Sequence, residues 1–149
     1  MTDDMMRLHE FAGRIAPATV IGETEEGFTL TLPEAELSFF AAGGQSAAAY
    51  CRASVAELGE GEFPAAFAEE ALKGNFFWRG TNGAVLSLNE KENTIYLTDR
   101  FDEGAFEDEG AFGEYIEGFL ATLGDWRTRL SLYIPEVEET TDKEEKEVL

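Results

Sequence analysis

Between Ala71 and Leu130 the chain changes its apolar rhythm three times, and this order of rhythms limits the folds open to it. A short run ending in Gly74-Asn75 gives way to Val85 to Leu88 and then Thr94 to Thr98, which alternate apolar and polar residues as half-buried strands do. Thr81-Asn82-Gly83 precedes the first of these, and Asn and Gly tolerate the positive φ of a tight turn. Asn89 to Asn93 links the two as a polar hairpin loop. Phe112, Ile116, Phe119, Leu120, Leu123 and Leu130 then recur every three or four positions, behind Glu107, Asp108 and Glu109. That predicts an amphipathic helix with acids at its positive end. Gly110, Gly113, Gly118 and Gly124 weaken it by roughly 1 kcal/mol each where they lie inside it, so packing has to hold it. No catalytic motif accompanies the block.

The upstream half is read the same way. Leu8, Phe11, Ala12 and Ile15 have helical spacing, with Asp3 and Asp4 at the start and Pro17 as the stop. Two alternating runs follow, Phe28 to Leu32 and Leu37 to Phe40, separated by Pro33-Glu34-Ala35-Glu36. After Gly43-Gly44-Gln45-Ser46, the stretch Ala47 to Leu58 reads as a third strand, with Cys51, Ala53 and Val55 on one face and Tyr50 and Leu58 on the other. A short second helix runs from Pro64 to the stop at Gly74. The expected order is helix, three strands, helix, two strands, helix: an α+β fold with helices packed on a twisted antiparallel sheet. Residues 1–134 form one unit in this reading, and residues 135–149 are too polar to bury themselves and read as an acidic disordered tail.

Charge excludes several partners. Thirty-one Asp and Glu against 11 Lys and Arg leave a net charge of -20, and the cations are scattered singly. Phosphate backbones and anionic membranes need clustered cations, so neither nucleic acid nor a membrane surface is an expected partner. The chain lacks the apolar run of about 18 residues that spans a bilayer and opens on acids, so the reading is cytoplasmic. Cys51 is the single cysteine and has no disulfide partner within the chain.

Candidate chemistry is sparse. His9 stands alone on the flank of the first helix, and Cys51 lies in an apolar run without a basic neighbour to favour its thiolate. Asp99, Asp102, Glu103, Glu107, Asp108 and Glu109 lack the alternating spacing of a calcium loop and suit a solvated helix entrance. Gly59-Glu60-Gly61 has neither the further glycine nor the lysine of a phosphate loop. No enzyme, cofactor or metal is expected. Two other functions bear on the acidic surface: an inhibitor that imitates nucleic acid, and a hydrolase using the carboxylates of residues 99–109.

The run Ala71-Leu72-Lys73-Gly74-Asn75-Phe76-Phe77-Trp78, followed by Thr81-Asn82-Gly83-Ala84-Val85, resembles a segment of the class I type III secretion chaperones, the Tir chaperone (CesT-like) family. In that family a short helix ends near an Ala-Asn pair and a Thr-x-Gly-Ala turn opens the next strand; here Gly74 takes the place of the Ala. The Tyr96-Leu97 strand, the acidic loop at Asp102-Glu103 and the helix closing on Trp126-Arg127 are similar too. The resemblance implies a cytoplasmic, non-enzymatic homodimer that holds the N-terminal region of a secreted effector in extended form before export. A domain this small cannot easily cover both sides of its sheet, and pairing two copies would cover the excess. The expected dimer contact is Phe63, Phe67, Ala71, Val85 and Leu86. The expected client surface is Leu8, Phe11 and Ile15 with Phe28, Leu30, Leu32, Leu37 and Phe39, where an extended segment can join a sheet edge. The tail leaves two roles open, contact with an export ATPase or simple solubility.

Overall fold

The computed structural model describes residues 2–15, 19–41, 48–102 and 104–133, with the backbone alone at 19–21. The expected turn at 43–46, the helix stop at Pro17 and the acidic tail lie outside the described residues.

Helix α1 (Asp3–Ala12) begins at Thr2, whose hydroxyl accepts the Met5 N–H at 3.1 Å and so satisfies one of the donors a helix start leaves open. Strands β1 (Thr19–Glu23), β2 (Gly27–Thr31), β3 (Glu36–Ala41) and β4 (Ala48–Glu57) follow, then α2 (Ala65–Gly74) and a 3₁₀ turn over Phe76–Trp78. Strands β5 (Val85–Asn89) and β6 (Thr94–Asp102) and the long helix α3 (Glu109–Ser131) complete the described elements. All neighbouring strands are antiparallel, in the order β1-β2-β3-β4-β6-β5. The α+β architecture is therefore as expected, with one strand more before α2.

That extra strand, β1, has a physical reason for escaping notice. It spans five residues, a bulge between Thr19 and Ile21 breaks its register with β2, and Gly22 interrupts its pattern. Gly27, which opens β2, is required by close approach: a Cβ there would fall 1.8 Å from the Phe39 carbonyl oxygen.

Strand register sorts the core. Phe28 faces Phe39, Phe39 faces Cys51, and Ala53 faces Leu97, all buried against α1 and α3 on one side of the sheet. Phe28 and Phe39 stack at 5.2 Å between ring centres, and Phe112 of α3 meets Phe39 edge-on at the same distance. α3 is capped by Asp108, which accepts the Ala111 N–H at 2.9 Å.

A bulge in β4 between Ser54 and Ala56 shifts the register against β6. Arg127 answers it from α3: Nε and Nη2 donate to the Ser54 carbonyl at 3.1 and 2.8 Å, and Nη1 donates to the Glu34 carbonyl at 3.1 Å. One guanidinium thus ties the end of α3 to β4 and to the turn before β3.

Candidate partner-binding surfaces

The residues expected to meet partners are mostly spent on the protomer's own core. Leu8, Phe11, Phe28, Leu30, Leu32, Leu37 and Phe39 are buried between the sheet and the helices, and Ile15 is half-buried beside them. Phe67, Ala71 and Leu86 are buried as well, so they offer a second chain no surface. Phe63 precedes α2, half-buried, with its ring 4.8 Å from that of Phe67. Val85 remains exposed on the edge strand β5. Alternation and helical spacing mark which side of an element is apolar, and that side faces the core before it faces anything else.

The apolar surface that faces outward lies elsewhere. Phe76, Phe77 and Trp78 are 64%, 66% and 54% exposed, three adjacent aromatics with no period of their own. Phe77 and Trp78 have φ of 51° and 57°, a left-handed backbone that costs large side chains about 1–2 kcal/mol each. Several contacts hold the turn in that form. The Asn75 carboxamide bonds both backbone groups of Leu86: Nδ2 donates to its carbonyl at 3.0 Å and Oδ1 accepts its N–H at 2.9 Å. The Gly83 N–H donates to the Trp78 carbonyl at 3.0 Å, and the Gly80 N–H to the Gly74 carbonyl at 3.1 Å. The Trp126 indole, buried beneath, donates from Nε1 to the Gly80 carbonyl at 2.8 Å. Asn82 and Gly83 carry positive φ, as their residue types predicted. Leu72 on α2 and Leu88 on β5 are exposed too.

The sheet face away from the helices forms a second surface. Phe40 and Tyr50 stack at 5.4 Å there, and the Arg52 guanidinium lies 5.5 Å from the Phe40 ring and 4.5 Å from the Tyr96 ring. Phe40, Tyr50, Arg52, Ser87, Tyr96 and Thr98 line a shallow depression of about 360 Å³.

The sparse chemical groups are absorbed structurally. Cys51 is fully buried, and its thiol is held well above the ordinary range chiefly by burial and then by the Asp99 charge. The Tyr115 hydroxyl donates to Asp99 Oδ2 at 2.6 Å, and burial is the main cause of its raised pKa. His9 Nε2 lies 3.1 Å from Glu23 Oε2, with its ring edge-on to Phe28. Asp108 serves as the α3 cap. Among the described residues no three His, Cys, Asp or Glu side chains gather where they could hold a metal ion, and no helix is long and apolar enough to cross a membrane.

Comparison with known proteins adds to this geometry. No curated protein sequence matches the chain. Among solved structures, a chain of the ExsC–ExsE complex superposes with a TM-score of 0.58 at 20% identity, over 88% of this chain and 92% of that one. The complex of the Yersinia pestis type III secretion chaperone SycH with a stable fragment of YscM2 contains a chain that superposes equally well, at 0.58 and 16% identity, over 85% and 98% of the two chains. A chain of the HopA1–SchA chaperone–effector complex matches with a TM-score of 0.58 at 13% identity, over 83% and 91%. Each of these likenesses is one of fold. The sequence itself, over residues 8–127, matches the Tir chaperone protein (CesT) family, and the chain belongs to that family.

Proposed function

We propose that the chain is a type III secretion chaperone that binds the N-terminal region of a secreted effector in extended form and keeps it competent for export. The observation that carries this reading is the family match over residues 8–127. In this reading the protein performs no catalysis and works in the cytoplasm, where effectors are held before export. Residues 1–134 act as the chaperone unit, with the acidic residues 135–149 as a tail that serves solubility or meets the export ATPase.

In this reading two copies pair through the aromatic turn. Phe76, Phe77 and Trp78, with Leu72 of α2 and Val85 of β5, are large apolar side chains left exposed, unusual for residues left to water. A two-fold contact centred there would bury on the order of 800 Å² per copy. Client segments are then left the sheet face around Phe40, Tyr50 and Tyr96 and the β1 edge, which no described residue covers as a further strand, since the apolar side of α1, β2 and β3 is filled by the protomer itself. The charge of -20 keeps such surfaces from unspecific self-association.

Affinity capture from the native host, followed by mass spectrometry and mass determination of the complex, tests the function. One secreted protein held through its N-terminal region by two copies of the chain is the expected result. A partner bound only through basic regions and released by salt would reject it in favour of an acidic decoy.

A further inference from the structure

Antiparallel pairing points the N–H and C=O of successive residues alternately toward and away from the neighbouring strand. In β5 the outward set is Leu86 and Leu88, continued by Ala84 just before the strand, because Leu86 turns both backbone groups to Asn75 and not to β6. Asn75 therefore bonds Leu86 with the donor and acceptor that a further strand would supply. Thr81 does the same one step along: its carbonyl accepts the Ala84 N–H at 3.0 Å, and its buried hydroxyl donates to the Ala84 carbonyl. Two of the three outward positions of this edge are thus occupied from within the chain.

We infer that Asn75 and Thr81 close the β5 edge to strand addition, so that neither a second copy nor an extended partner can continue the sheet there. A carboxamide is suited to this task because it carries one donor and one acceptor side by side, as a peptide unit does. An unpaired edge in a strand of alternating apolar residues would template pairing with another chain, and here the closure is built from the turn that also presents the aromatics. Two consequences follow. Copies that meet at this end must do so through side chains, without a continuous sheet across the seam. The sheet's other terminal strand, β1, becomes the edge on which an extended segment can be received, a consequence that rests on the chaperone reading above.

The closure is tested on the full chain alone, by amide exchange and sedimentation velocity. Asn75→Ala should speed exchange of the Leu86 amide by about tenfold or more while the Leu97 amide stays slow. The same variant should form assemblies larger than the wild type at concentrations on the order of 100 µM, where exposed strand edges associate. Adding Leu88→Pro, which removes the last outward N–H of β5, should return the variant to wild-type size. Unchanged Leu86 exchange, wild-type assembly, or an assembly that the proline leaves intact would each overturn the inference. Should Asn75→Ala fail to fold, Asn75→Asp carries the test: it keeps the acceptor for the Leu86 N–H, so that amide should stay slow, and fast exchange there overturns the closure. Because no client enters these measurements, their failure leaves the chaperone reading standing, and failure to find a client leaves the closure standing.

Discussion

Gly74 lies against the Trp126 indole so closely that a Cβ on it would fall 2.2 Å from Cζ2 and 2.4 Å from Cη2. Gly80 packs on the Gly74 backbone, and its carbonyl receives the indole N–H. Gly74→Ala should therefore cost about 1–3 kcal/mol, the usual range for forcing a methyl into a packed site. The double variant with Trp126→Leu should cost less than the sum of the two single changes, because the smaller side chain removes the clash. Urea unfolding of the four proteins measures both, and strict additivity would show that the contact is not felt.

Gly118 and Gly124 sit inside α3 with nothing within 4 Å of where a Cβ would project. Alanine at either position should raise the unfolding free energy by roughly 0.5–1 kcal/mol, through helix propensity and a less flexible unfolded chain. The two gains should add. A loss at either site would mean that the glycine serves a contact made in the assembled state.

The proposed pairing through the aromatic turn can be tested apart from stability. Phe77→Gly removes both a left-handed strain, at φ 51°, and an exposed ring. The protomer should hold its stability or gain about 1 kcal/mol, while the dissociation constant of the proposed dimer rises by about tenfold or more. Sedimentation equilibrium reads the second quantity, and an unchanged constant would move the seam elsewhere.

Alkaline pH should weaken the fold through Cys51 and Tyr115. Burial raises the pKa of both in the folded protein, whereas in the unfolded chain they ionise near their ordinary values of 9.0 and 10.0. Their contribution is fully present below pH 9 and is lost as pH rises, since the unfolded chain then releases protons that the folded one keeps. The slope approaches about 1.4 kcal/mol per pH unit for each group. Cys51→Ala and Tyr115→Phe should flatten the profile above pH 9, and a profile unchanged by either would place the loss in other groups.

Much of the fold was legible because local chemistry and tertiary structure agree. Cys51, Ala53 and Val55 point inward as their alternation required, Asn82 and Gly83 take the φ their types favour, and the acids before α3 supply its cap. The short β1 was not legible, since five residues with a bulge and a glycine carry no period to read. The surfaces were less legible still. Leu30 and Phe67 have the spacing of a buried face, but spacing does not say whether the cover is the chain's own helix or a second molecule. Phe76 to Trp78 broke every period, and only their exposure in three dimensions separates them from core. Gly74 reads as the stop of the second helix, but the pairing of the next residue, Asn75, with Leu86 depends on a turn whose path no local pattern encodes.

The chain has two tryptophans, and the fold sets them at opposite extremes of solvent contact: Trp126 is 1% exposed and Trp78 is 54% exposed. Their emission therefore separates into a blue component from the core and a red, quencher-accessible component from the aromatic turn. Folding moves the first and burial of the turn moves the second, so one cuvette of unlabelled protein reports the two processes on separate wavelengths.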